Sequence, residues 1–295
     1  AKLPAGPCSC FLCALRGLGG KKIRFIGLPR LPDSGSAEWW LDDKAKLKKV
    51  LMNAGVPVPQ GGGFSRFKPL LARFRELEKP VIIKPRIGSR GRHTTTNIFT
   101  EEDLKKAYKV AKQLCHWVVM EEHLVGSVYR GTVIDGKLVG VLRGDPPRIT
   151  GDGVHTIEQL IDLKNERRPK QISPVVITEA HRDFLRRLGY EVTSVLPAGK
   201  TIDVLEKIGV SYGGNSAEES SIAHPKIKYY LERAGHAVGD SLIGFDFIIQ
   251  DITRDPDEQK WGVIECNGMP FINLHHFPVE GTPVNAAKAV WDMVE

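Results

Sequence analysis

The sequence contains no apolar run long enough to cross a bilayer as a helix, which excludes a helical membrane span. It has no Gly-x-x-x-x-Gly-Lys-Ser/Thr stretch, which excludes a P-loop. It has no His-x-x-x-His or His-x-His spacing for zinc, no nucleophile elbow, no internal repeat and no low-complexity block. Cysteine is scarce, with five in 295 residues. An odd number without framework spacing argues against a disulfide-stapled secreted protein and for a reducing, cytoplasmic setting. Cys8, Cys10 and Cys13 cluster, but three thiols with no nearby histidine make a poor metal site beside the plainer reading of a loose or core-packed terminus. Arg16 interrupts the short apolar patch around them, so the segment is a poor secretory signal. The chain starts without methionine, as a processed or truncated chain would.

What is present is ordinary in bulk: 41% hydrophobic and 26% charged residues, enough for one large domain or two smaller ones sharing a cleft. The net charge of +7 hides an asymmetry, since residues 1–120 carry +14 and residues 121–295 carry −7. A basic half can bind nucleic acid, or a polyphosphate met from the other side by an acidic, metal-holding half. Much of the basic excess lies at helical spacing (Lys44, Lys48, Lys49; Lys105, Lys106, Lys109, Lys112), which by default is a solvated helix face.

Periodicity organises the chain. Residues 1–38 read as irregular, with one strand near Lys22–Gly27. A helix begins at Asp42 and stops at Gly55, and RFKPLLARFRELEKP is a second helix. VIIKP is a short buried-type strand, a helix follows Thr100, and HWVVMEEHL is a strand leading into a linker. Asp135-Gly136 joins two strands as a hairpin. Further helices fall after His155, at Thr178–Leu188, after His224 and at Val284–Val294, while VSYGGNSAEES is a Gly-bearing polar loop. Strands and helices mix without regular βαβ alternation, which gives α+β lobes around a cleft.

The chemistry concentrates near the C-terminal end, where GFDFIIQD carries Asp246 and WGVIECN carries Glu265 and Asn267. Alternation puts Glu265 and Asn267 on one face and Cys266 on the other. If the two runs pair as a hairpin, Asp246 falls opposite Glu265, and two facing carboxylates repel unless a cation lies between them. Oxygen donors of this kind suit Mg²⁺ or Mn²⁺, while the plainer reading is an ordinary polar hairpin. Upstream, Lys84 ends an apolar strand and needs an anion or a path to water. The loop after it, with Gly88, Ser89, Arg90, Gly91 and Arg92, suits phosphate but also reads as an incidental basic turn. Arg130 and Arg143 lie at similar distances from Asp135-Gly136, so they are expected to be cross-strand neighbours with an anion between them, whether a ligand or protein carboxylates. His275 and His276 have no metal spacing.

This ordered set resembles the ATP-grasp superfamily, and in particular the ATP-grasp domain of cyanophycin synthetases and the glutathione synthetase-like domain of bifunctional glutamate–cysteine ligase/glutathione synthetases. The motifs that carry the resemblance are DDKAKLKKVLMNAGVPVPQGG, VIIKPRIGSRGRHTTTNIFTEEDL, VMEEHLVGSVYR, ITGDGVHTIEQLI, VSYGGNSAEES, GFDFIIQD and VIECNGMPFINLHHFPVEG, in order over about residues 40–295. The resemblance implies an α+β fold of two lobes holding ATP between antiparallel sheets, with residues 39–118 and 119–295 as the lobes. It implies an ADP-forming carboxylate–amine ligase working through an acyl phosphate on an amino acid or peptide. Lys84 would hold phosphate with Lys44 lining the same pocket, and Ser89, Arg90, Gly91 and Arg92 would form the lid. Glu121, Glu122, His123 and Leu124 would be the adenine hinge. Arg130 and Arg143 would stabilise phosphoryl charge. Asp246, Glu265 and Asn267 would hold two Mg²⁺ or Mn²⁺ ions. Tyr129, Gly213, Gly214 and Asn215 would line the substrate side, and Cys266 would be core.

Two departures stand out from that pattern. The family's acidic ribose contact, two positions after the hinge glycine, is replaced by Val128. Its glycine-rich lid reads here Gly88-Ser89-Arg90-Gly91-Arg92-His93, stiffer and more basic. These departures keep open a non-catalytic nucleotide-binding module, and the basic half keeps open a nucleic-acid binder. The metal triad and both arginines favour the ligase, and no nucleic-acid motif supports the last. A membrane partner is not expected, and a homo-oligomer remains open.

Overall fold

The computed structural model describes residues 12–16, 22–31, 40–88 and 93–294. Strands β1 (Leu12–Arg16) and β2 (Lys22–Ile26) pair as an antiparallel hairpin. The expected irregular segment 1–38 therefore contains two strands rather than one, because each five-residue run becomes a strand only through its partner. The three-thiol cluster falls largely outside the described residues, with only the backbone of Cys13 placed, in β1.

Next come α1 (Lys44–Asn53), β3 (Gly61–Phe64), α2 (Phe67–Glu76), β4 (Val81–Pro85), β5 (Thr95–Ile98), α3 (Glu101–Lys112) and β6 (Val118–Glu122). The strands form a four-stranded antiparallel sheet in the order β3-β6-β4-β5. Val81 and Ile83 of β4, with Val118 and Met120 of β6, pack on Leu70 and Phe74 of α2 and Leu104, Ala107 and Ala111 of α3. Alternation then turns Lys84 and Glu121 to the opposite face, away from those helices.

The chain continues through β7 (Ser127–Ile134), β8 (Lys137–Gly144), β9 (Arg148–Thr150), α4 (Ile157–Arg167), α5 (Glu179–Arg187), β10 (Thr201–Asp203), β11 (Ser216–Glu218), α6 (Pro225–Val238), β12 (Leu242–Ile249), β13 (Gly262–Asn267), α7 (Asn273–His276), β14 (Glu280–Gly281) and α8 (Ala286–Val294). A six-stranded sheet runs β13-β12-β7-β8-β11-β14, antiparallel except for the parallel β11–β14 pair. Its β11 corrects the polar-loop reading of VSYGGNSAEES, since Ser216–Glu218 gain strand geometry by pairing with β8. Residues of β9, α4, α5 and β10 form a small unit with its own core around Ile157, Ile161, Leu185 and Leu196.

The main core joins one face of the large sheet (Tyr129, Val133, Phe245, Phe247) to Ile227 and Leu231 of α6 and to Leu47 and Leu51 of α1. Helix α1 is thus built into the second body, although it precedes the first sheet in sequence. Val118–Glu122 in turn belongs to the first sheet, and residues 123–126 lead from it into β7. At that crossing Gly126 has φ +143°, and a Cβ there would overlap the Ile249 carbonyl. Gly126→Val is therefore expected to destabilise by about 1–3 kcal/mol, measured by urea unfolding. Unchanged stability would show that the crossing tolerates a side chain.

Candidate active site

The site is built first from lysines. Asp43 caps α1, its Oδ1 accepting from the Ala45 and Lys46 amides at 3.1 and 3.0 Å. The same carboxylate receives a two-pronged bond from Arg86 at 2.8 and 2.7 Å, and the Lys44 amide donates to the Arg86 carbonyl at 3.0 Å. Burial pushes the Asp43 carboxyl up, but Arg86 and the cap amides outweigh it and hold it below the usual carboxylate range. The helix start is thereby locked to the end of β4. Lys44 and Lys48, four residues apart, share one helix face. They lie alongside Leu47 and Leu51 and are 7% exposed each, so the solvated-face reading fails for both and holds for Lys49.

Lys84 and Lys48 converge on one carboxylate. Glu121 Oε2 lies 2.7 Å from Lys84 Nζ and Oε1 lies 2.7 Å from Lys48 Nζ, with Glu121 only 2% exposed. Burial pushes the Glu121 carboxyl up, but the two lysines more than offset it and the net shift is downward. Burial also lowers Lys48, against the pull of Glu121. The anion that Lys84 needs is thus partly supplied by the protein. Two lysines on one carboxylate still leave one positive charge over, which suits an incoming phosphate. Lys84 also donates to the Ile264 carbonyl of β13 at 3.2 Å, which ties the two sheets together.

The expected hinge follows directly. Glu121 faces inward onto the lysines, and Glu122 accepts from the Gln60 amide at 2.8 Å and pairs with Lys260 at 2.8 Å. The Glu122 and His123 amides donate to the Gln60 and Pro80 carbonyls. Leu124 is buried, and burial lowers the His123 ring. Ser89, Arg90, Gly91 and Arg92 lie outside the described residues, but Lys44 Nζ hydrogen-bonds the Gly88 carbonyl at the root of that loop.

The carboxylate hairpin forms in the expected register, with Asp246 opposite Glu265, and Arg130 faces Asp246 from the other side. Arg130 grips Asp246 with Nε–Oδ1 at 2.6 Å and Nη2–Oδ2 at 2.8 Å. Asn267 Nδ2 lies 3.3 Å from Asp246 Oδ2, and Lys44 Nζ lies 3.6 Å from Glu265 Oε1. Burial pushes the Glu265 carboxyl up, Lys44 opposes this, and Asp246 adds to it, for a net upward shift. Cys266 packs in the core, its Sγ 3.5 Å from the Leu41 carbonyl, as alternation requires. Among the described residues no three or more His, Cys, Asp or Glu side chains form a metal cage on their own. The donor set instead fits a hard cation that takes its remaining oxygens from a ligand.

The two arginines are not cross-strand neighbours. Arg143 faces Tyr129 and Arg130 faces Leu142, so alternation sends the arginines to opposite faces. Each holds protein carboxylates: Asp246 for Arg130, and Asp145 (3.1 Å), Glu219 and Glu280 (3.9 Å) for Arg143. Equal distance from a turn does not fix a shared face, because the register decides it. Tyr129 stacks on Phe247 with ring centroids 5.4 Å apart, and burial together with Glu219 pushes its phenol up. Gly214 packs against the Asp145 carbonyl, which leaves no room for a Cβ, and Asn215 bonds Glu280 at 2.5 Å. The Gly213–Asn215 loop and Arg143 therefore meet through Glu280. Sequence reasoning missed Lys48, although its position four residues after Lys44 beside Leu47 and Leu51 was a readable signal.

A four-stranded and a six-stranded sheet, bridged by buried lysines and a carboxylate hairpin, define the class: this is the ATP-grasp fold. The crystal structure of a bifunctional glutathione synthetase from Pasteurella multocida superposes with a TM-score of 0.64 at 26% identity, covering 94% of this chain and 40% of that one. An ATP-grasp ligase, PsnB, complexed with a precursor variant, Mg and ADP, shares the fold at a TM-score of 0.51 and 16% identity, over 89% of this chain and 61% of that one. No protein-family model matches the chain. In sequence the chain is similar to cyanophycin synthetase of Synechocystis sp., 31% identical over 261 residues, or 85% of this chain and 30% of the relative. It spans less than a third of that relative's length. The resemblance to the ATP-grasp superfamily, and within it to cyanophycin synthetases and bifunctional glutathione synthetases, thus holds in both sequence and structure.

Proposed function

We propose that residues 39–295 act as one ATP-dependent carboxylate–amine ligase unit. It would join an amino acid or peptide carboxylate to an amine through an acyl phosphate, with release of ADP and phosphate. The observation that carries this reading is the Asp246–Glu265 pair, facing in register and met by Lys44 from α1 and by Arg130 from β7. The naming of the similar proteins as cyanophycin synthetase and bifunctional glutathione synthetase supports it.

In this reading Lys84 and Lys44 bind the nucleotide's phosphates, and Lys48 holds Glu121 so that the pair of buried lysines keeps its excess charge. Asp246, Glu265 and Asn267 would hold Mg²⁺ or Mn²⁺, whose bound charge would neutralise phosphate oxygens as the carboxylate attacks. Arg130, which grips Asp246 in the unliganded protein, would lie beside the transferred phosphoryl group and offset its charge. Glu121 to Leu124 present the hinge backbone to the base, and the lid residues Ser89–Arg92 exclude water from the acyl phosphate. The Gly213–Asn215 loop, tied to Arg143 through Glu280, would border the substrate, whereas Tyr129 is buried in the core against Phe247 and does not reach it, against the sequence expectation. The neighbouring Ser216 hydroxyl is buried and has no hydrogen-bond partner among the described residues, so a substrate polar group would satisfy it.

The test is incubation with ATP, Mg²⁺ and a pool of amino acids and dipeptides, with ADP release and new amide mass measured together. ADP release that needs both a carboxylate and an amine is the expected result. ATP binding without turnover would favour the non-catalytic module, and no binding at millimolar ATP would overturn both.

A further inference from the structure

A buried polar relay lies beside the metal-type hairpin and belongs to none of the roles above. His275 is 1% exposed. Its Nε2 is 2.7 Å from Thr132 Oγ1 and its Nδ1 is 2.5 Å from Glu218 Oε2. Glu218 Oε1 accepts from the Val141 amide at 3.1 Å and from the Ser220 hydroxyl. Burial pushes the Glu218 carboxyl up, but the bonds from His275 and Ser220 outweigh it, so Glu218 stays an acceptor and His275 Nδ1 is the donor. The sheet makes room for the ring with a glycine: a Cβ on Gly140 would fall on the imidazole.

The relay connects the two ends of the site. Thr132 is the next residue after Arg130 on the same face of β7, and both border Gly244, over which the Arg130 stem passes 3.3 Å from where a Cβ would be. His275 follows Asn267 after a short link in which Pro270 covers Gly244 at 3.1 Å from the same point. Its carbonyl accepts from the Val284 amide at 2.8 Å, which closes a loop around Glu280, the residue beside Arg143 and Asn215. His275 therefore ties the exit of β13 to the flank of Arg130 through its ring, on Thr132 and Glu218, and to the segment after Glu280 through its backbone carbonyl. A purely packing residue at this place would need no polar atoms, and burying them is costly unless each is matched.

We infer that His275 is a positioning residue that, through Thr132 and Glu218, sets Asn267 and Arg130 for metal binding. This rests on the ATP-and-metal reading proposed above. The test uses Mn²⁺ as probe, titrated by electron paramagnetic resonance into protein with ATP, with ATP affinity measured separately in EDTA. In His275→Gln, Mn²⁺ affinity of the ATP complex is expected to fall tenfold or more while metal-free ATP affinity stays within twofold. Thr132→Val, which keeps the shape and removes one bond, should give a smaller fall in the same direction, about threefold, and decides alone if His275→Gln does not fold. Unchanged Mn²⁺ affinity, or a parallel loss of metal-free ATP affinity, would overturn the inference. A parent protein that binds no ATP would overturn the ligase reading and this inference with it; a parent that binds normally isolates the failure to His275.

Discussion

Glu265→Gln is expected to cut turnover by about a hundred- to a thousandfold, as for loss of a central transition-state electrostatic contact, and yet to leave the unliganded protein as stable as the parent or more so. The reason is the sign of the local electrostatics. Burial and the facing Asp246 hold the Glu265 carboxyl above its ordinary 4.5, with Lys44, Lys84 and Arg130 opposing them only in part. A carboxyl raised on folding contributes stability that is present below 4.5 and lost as pH rises through its folded value. Charge on the buried Glu265 carboxyl therefore costs the unliganded fold stability, and the neutral amide removes that cost. Thermal unfolding with and without Mg²⁺–ATP checks the prediction. The parent should gain stability from Mg²⁺–ATP, and the variant should gain much less. Retained turnover in the variant would remove Glu265 from the metal site. Lost turnover with a collapsed fold would make it a structural residue instead.

Glu121→Gln should have the opposite character, destabilising by about 3–5 kcal/mol, as expected when one partner of a buried ion pair is removed. Lys48 and Lys84, both buried, would face each other without the carboxylate that now bonds them at 2.7 Å each. Urea unfolding at neutral pH checks this. The same argument fixes the pH dependence. The Glu121 carboxyl is lowered on folding, so its contribution is complete above the ordinary 4.5 and disappears as pH falls through its folded value. A parent protein that keeps full stability in acid, or a variant as stable as the parent, would show that the lysines find another anion. The contrast between the two variants separates a residue kept for its ligand from one kept for its fold.

How much of this was readable beforehand depends on the range of the signal. The Asp246–Glu265 register was legible because period-2 alternation and a short polar linker act locally. The inward turn of Cys266 followed from the same alternation. Arg130 and Arg143 were misplaced because facing across a hairpin depends on register, and counting residues from the Asp135-Gly136 turn did not fix it. Helix α1 read correctly as a helix, but its charged face read wrongly. Burial of Lys44 and Lys48 is decided by α6, β13 and Glu121, which lie far away in sequence.

The sequence by itself determined the α+β class, the order of the motifs, the hairpin that pairs two carboxylates, and the resemblance to ATP-grasp proteins. Those depend on periodicity, turn residues and residue type, all set within a few neighbours along the chain. Only the tertiary structure decided which charges meet. It placed Glu121 between two lysines, gave Arg130 to Asp246 and Arg143 to Glu219, and buried His275 between Thr132 and Glu218. A charged side chain takes its meaning from what lies within a few ångströms. In this fold those neighbours come from strands and helices tens to hundreds of residues apart.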